Sequence, residues 1–225
     1  MRLLALLLSL ILPVSASAQV APSASQIAAY TGLHLAAHTG DAAAIRRLAA
    51  DGADLEARDS AGRTPVHVAA FASNEAALRA LAEAGADLNV LEGQAYDAVT
   101  IAAVANDLDM LDAALAAGNR ADLVTSPYDG TALIAAAHLG HAEVVRRLIA
   151  AGAPLDHVNN LAWTAVIEAI VLGDGAPDHQ ATLLALLDAG ADPNIADGAG
   201  VSPLRLAQAR GYGEMAAMIE AHGGQ

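Results

Sequence analysis

The chain has 225 residues, with 25 acidic side chains against 11 basic ones, no cysteine and a formal charge of −14. A chain this negative is a poor match for nucleic acid, where neutralisation of phosphates by Lys and Arg dominates affinity, and for anionic membrane surfaces. Disulfides and thiolate chemistry are excluded, and no Gly-x-Ser-x-Gly turn or phosphate-cradling glycine loop points to catalysis.

The N-terminus carries an export signal. Arg2 gives a minimal positive region, residues 3–14 are apolar apart from Ser9, and Ala16-Ser17-Ala18 offers small residues at a cleavage position. That order reads as a signal peptide over 1–18. Its apolar run falls well short of the roughly 20 residues that span a bilayer, so no membrane insertion is expected after cleavage. Cleavage would remove Arg2 and leave residues 19–225 one unit more negative. Every basic residue is arginine, and alanine is abundant, as in proteins from GC-rich bacterial genomes. The expected location is the periplasm, with secretion as the alternative.

Beyond residue 25 the chain repeats itself. Thr64-Pro65-Val66-His67-Val68-Ala69-Ala70 has relatives starting at Thr31, Asp97, Thr131, Thr164 and Ser202, at steps of 33, 33, 34, 33 and 38 residues. A second marker keeps the same register at Gly52, Gly85, Gly118, Gly152 and Gly190. Threonine can cap a first helix whose opening position suits Pro65. Pairs such as Leu78 and Leu81, or Val144 and Leu148, supply the apolar stripe of a second helix, which the glycine then ends. One such unit cannot bury its own apolar face, so the units must stack.

These residues resemble the ankyrin family, whose repeat of about 33 residues carries Thr-Pro-Leu-His-x-Ala. The likeness is strongest at Thr64 to Ala70 and at Thr131 to Ala153, and weakest in the third unit, where Asp97 and Thr100 replace threonine and histidine. It implies an all-α solenoid over 19–225 of about six helix–turn–helix repeats, approximately 25–57, 58–90, 91–123, 124–156, 157–194 and 195–225. A modified single helix is expected over 25–40, and a polar cap from Arg205, Gln208 and Arg210. The fifth repeat is longer by about five residues, at 173–180, and reads as a solvated insertion between its two helices, with a partner-specific contact as the alternative.

The resemblance also implies a concave face, built from hairpin tips and first helices, that binds other proteins. Carried over position by position, it selects Arg63, Phe71, Tyr96, Tyr128, His138 and Trp163. Aromatics and arginine are the side chains most enriched at binding hot spots, and four of the chain's six aromatic residues fall in this set. The histidines His34 and His67 stand at the signature position, where the family uses them to tie hairpin to helix. Without cysteine no structural zinc set is expected, and no cofactor is implied. The expected function is non-enzymatic binding of a protein partner, which the charge would favour as basic. An acidic inhibitor or immunity protein against a basic toxin or enzyme is the alternative.

Overall fold

The computed structural model describes residues 19–225, so the expected signal peptide at 1–18 lies outside the described residues. A short helix α1 (Ala24–Ala29) precedes six helix pairs: α2 (Gly32–Thr39) with α3 (Ala42–Ala50), α4 (Pro65–Phe71) with α5 (Glu75–Glu83), and α6 (Ala98–Ala105) with α7 (Leu108–Ala116). They continue as α8 (Ala132–His138) with α9 (Ala142–Ala150), α10 (Ala165–Val171) with α11 (Pro177–Asp188), and α12 (Pro203–Ala209) with α13 (Gly213–Ala221). The first helix of each pair packs on the first helix of the next, and the second on the second, which gives two parallel layers. The only bridge between extended residues described is an isolated one, Thr125 with Gly130.

Local chemistry explains the repeat. Thr131 and Thr164 accept the N–H three residues on (3.3 Å each), and Pro65 and Pro203 occupy opening positions that need no donor. The third unit keeps its cap by substitution. Asp97 accepts the Thr100 N–H at 2.8 Å and its hydroxyl at 2.5 Å, and takes the Asn119 amide at 2.9 Å. Each second helix ends in a Schellman motif. Gly52, Gly85, Gly118, Gly152 and Gly190 all have φ between +83° and +102°, and the next residue's N–H closes on a carbonyl five residues back, as in Ala53 to Leu48.

Alanines let the layers approach. Ala69, Ala102, Ala136 and Ala169 are buried in first helices, while Leu78, Leu111, Leu148 and Leu183 fill the space against second helices. Arg205 and Gln208 are exposed on α12, as a terminal cap requires.

Two expectations need correction. The chain before Gly40 forms two helices rather than one, because Tyr30 and Thr31 are extended between them. The extra residues at 173–180 are also not a loosely solvated loop. Pro177 opens an additional turn of α11, which reaches 12 residues. The His179 ring bonds the His138 carbonyl at 3.0 Å and the Asp174 carboxylate at 2.9 Å. The Tyr212 hydroxyl donates to the Gly173 carbonyl at 3.1 Å. Gly175, at φ +72°, lies so close to the Tyr212 ring that a Cβ would sit 2.5 Å from it. The insertion is thus clamped between its neighbours.

His179 belongs to a recurring device. The Asn74 amide donates to the Ala37 and His38 carbonyls, His141 bonds the Ala103 carbonyl, and Arg210 reaches the Val171 carbonyl. In each case a side chain of one repeat satisfies the exposed end of the preceding first helix.

Candidate functional site

Each hairpin tip is held by one polar side chain. Asp59, Glu92, Asn159 and Asp197 each accept the N–H groups two and four residues on. Their own N–H groups donate to the carbonyls of Arg63, Tyr96, Trp163 and Val201. The signature histidines then join tip to helix. His34 bonds the Arg63 carbonyl at 3.0 Å, while His67 bonds the carbonyls of Val90 and Tyr96 at 3.1 Å each.

This geometry corrects two of the residues expected to face a partner. Arg63 is only 2% exposed. Its guanidinium donates to the Asp59 carboxylate at 3.1 Å and the Val20 carbonyl at 2.8 Å, and stands 5.6 Å from the centre of the Phe71 ring. The segment at 19–22 therefore covers it. Tyr96 is 6% exposed and packs beneath the third hairpin. Phe71 and Trp163 are half-buried, and neither lines the groove described next.

Tyr96, Tyr128 and His138 do come together. They line a groove of about 400 Å³ over the third to fifth repeats, with Val104, Ile134 and Leu139 as apolar walls and the side chain of Gln19 reaching in. Tyr128 and His138 remain partly exposed, and Leu139, which lines the groove with them, is 40% exposed. The groove also holds two residues that sequence reasoning missed, Glu168 and Asn159.

Glu168 is the chemically unusual one. The residues four beyond each repeat start are Leu35, Val68, Ile101, Ala135, Glu168 and Leu206, so an acid stands where the other repeats are apolar. It is 4% exposed. One carboxylate oxygen accepts the Asn159 amide at 2.9 Å, and the other lies 3.6 Å from Nδ1 of His138. Burial pushes the Glu168 carboxyl up to about 7, against the opposing Asn159 hydrogen bond. Burial likewise lowers the His138 pKa, with the nearby His179 adding to the effect.

A stability prediction follows from the sign of that shift. Native Glu168 holds its proton more tightly than the unfolded chain does, so stability falls as pH rises from about 4.5 through about 7. By pH 8 the loss is about 3 kcal/mol at 1.36 kcal/mol per pH unit. Glu168→Gln is expected to restore roughly 2–3 kcal/mol at pH 8 and almost nothing at pH 4, measured by urea unfolding. Equal effects at both pH values would show that Glu168 is not perturbed.

Metal binding gains no support. His34 and His38 stand one turn apart on α2, but His34 is engaged with Arg63, and both rings pack near Tyr30. Among the described residues no three His, Asp or Glu side chains converge as a metal set. No helix among them is long and apolar enough to cross a membrane.

Six stacked helix pairs with glycine-terminated second helices, two of their hairpins tied by signature histidines, are matched by the family of ankyrin repeats (three copies) over residues 6–92 and 99–197. The chain belongs to the ankyrin repeat family. An ankyrin repeat domain from Acinetobacter baumannii is 42% identical, with a TM-score of 0.79 and coverage of 86% of this chain and 98% of that one. The ankyrin repeat domain of Bcl-3 is 25% identical at a TM-score of 0.79, covering 88% of each chain. The ankyrin repeat protein YahD of Escherichia coli is 38% identical over 97 residues, which are 43% of this chain. The match spans about half the length of that curated relative (48%). Ankyrin repeats are general protein–protein interaction modules, and this ankyrin array presents its groove on the hairpin and first-helix side.

Proposed function

We propose that this chain is a non-enzymatic protein-binding module of the bacterial periplasm, with its partner docked over the groove of the third to fifth repeats. The observation that carries the reading is the cluster at the groove mouth. Partly exposed Tyr128 and His138 share the groove lining with the exposed Leu139, in a chain that carries 25 acidic residues against 11 basic ones. Contiguous apolar exposure rimmed by polar residues marks interaction sites. The net charge of −14 steers a basic partner toward it.

The test is capture from a periplasmic extract with residues 19–225, comparing wild type with Tyr128→Ala/Leu139→Asp. Both positions are partly exposed, so the variant is expected to keep its helical signal and lose the partner. Recovery of the same partner by a folded variant would move the docking face elsewhere. Mass spectrometry of the protein recovered from that compartment is expected to show Gln19 as the first residue; an intact Met1 would remove the export reading. The inhibitor reading rests on the same acidity, and predicts that the captured partner is an enzyme or toxin whose activity stops on one-to-one binding.

A further inference from the structure

We propose that the groove beside Glu168 is a receptor for one arginine side chain of the partner, its guanidinium paired with the Glu168 carboxylate and its stem laid along the apolar walls. This rests on reading that face as the docking surface.

Glu168 costs the fold stability that an apolar residue at its position would not. Five of six repeats place Leu, Val, Ile or Ala at the Glu168 position, and the acid at the sixth destabilises the native state above neutral pH. Groups that lower stability without helping the fold concentrate where a ligand is bound. The preceding repeat supplies room, because its counterpart is the small Ala135, which lines the same groove.

The polar geometry is half complete. One oxygen of Glu168 is taken by Asn159. Among the described residues the other oxygen makes no hydrogen bond, the His138 ring standing 3.6 Å away. No arginine among the described residues is paired with it, although the chain's arginines elsewhere find Asp59, Glu83, Asp112, Asp122 and Glu143. A buried carboxylate with one unmet oxygen, facing a groove, is matched by a donor carrying positive charge.

The walls favour guanidinium over ammonium. The partly exposed Tyr128 offers aromatic surface, and Val104, Ile134 and Leu139 offer aliphatic surface. A planar, weakly hydrated guanidinium stacks on rings and tolerates such surroundings, whereas an ammonium keeps its water. The present occupant is easily displaced, since the Gln19 side-chain amide nitrogen is buried there with no acceptor.

The experiment uses residues 19–225, labelled with 15N, and three capped amino acids: acetyl-arginine methylamide, its lysine counterpart and the neutral isostere acetyl-citrulline methylamide. Arginine is expected to shift amides near Tyr128, Ala135, His138 and Glu168 in a saturable way, with citrulline at least tenfold weaker. Glu168→Gln is expected to keep the native spectrum and bind arginine no better than citrulline. Equal binding of arginine and citrulline, unchanged arginine binding by Glu168→Gln, or no saturable shift would each overturn the proposal; lysine binding as tightly as arginine would overturn the choice of guanidinium. A partner captured by Glu168→Gln as well as by wild type, yet lost by Tyr128→Ala/Leu139→Asp, would remove the arginine receptor and leave the docking face standing.

Discussion

Replacing His67 with alanine is expected to destabilise the array by about 3–5 kcal/mol at pH 7, from the removal of a buried network. The ring is fully buried. Nδ1 accepts the Thr64 N–H at 3.1 Å and its hydroxyl at 2.8 Å, while Nε2–H donates to the Val90 and Tyr96 carbonyls. Alanine removes the acceptor of the buried Thr64 N–H and hydroxyl and the donor to the Val90 carbonyl, leaves the Tyr96 carbonyl with the Glu92 N–H alone, and opens a cavity. The substitution also changes how stability responds to acid. Burial lowers the His67 pKa to about 4, so its contribution is complete above about 6.5 and lost as pH falls through 4. Between pH 6.5 and 4.5 that loss is about 2 kcal/mol.

Glu168 acts in the opposite sense over the same interval, becoming more stabilising by about 2 kcal/mol as it takes up its proton. The two nearly cancel in the wild type. His67→Ala is therefore expected to become more stable on acidification from pH 6.5 to 4.5, and Glu168→Gln less stable, by urea unfolding at the two pH values. If both variants follow the wild-type pH dependence, neither group is displaced from its ordinary titration.

Leu148→Ala is expected to cost roughly 2–5 kcal/mol. Leu148 is fully buried on α9, which packs against α8 within its repeat and against α7 and α11 on either side. Truncation there weakens the fourth repeat and both of its junctions at once, because a solenoid gains much of its stability from contacts between neighbours. A near-neutral change in urea unfolding would mean that this helix does not bury the face assigned to it.

Most of the fold is legible in the sequence because its causes are local and recur. A helix-ending glycine, a capping threonine and an apolar stripe act within one turn of themselves, and six copies reinforce each reading. The site is less legible because its causes are distant. Arg63 stands at a position that faces outward in a bare repeat, and what buries it is Val20, 43 residues away. Tyr96 sinks beneath hairpins that only the stacked array brings together. Glu168 looks like an ordinary surface acid until neighbouring hairpins enclose it, although its place in the column Leu35, Val68, Ile101, Ala135, Leu206 carried the signal. The residues at 173–180 read as a loop because their partners, the His138 carbonyl and Tyr212, lie in the repeats before and after.

The side-chain bridges from Asn74, His141, His179 and Arg210 all run toward the N-terminus, and that gives the stack a grammar. At four of the five junctions a repeat is a sentence whose final punctuation is written by its successor. A unit copied and inserted in the middle inherits closure from whatever follows it, so duplication can lengthen such a protein without new invention.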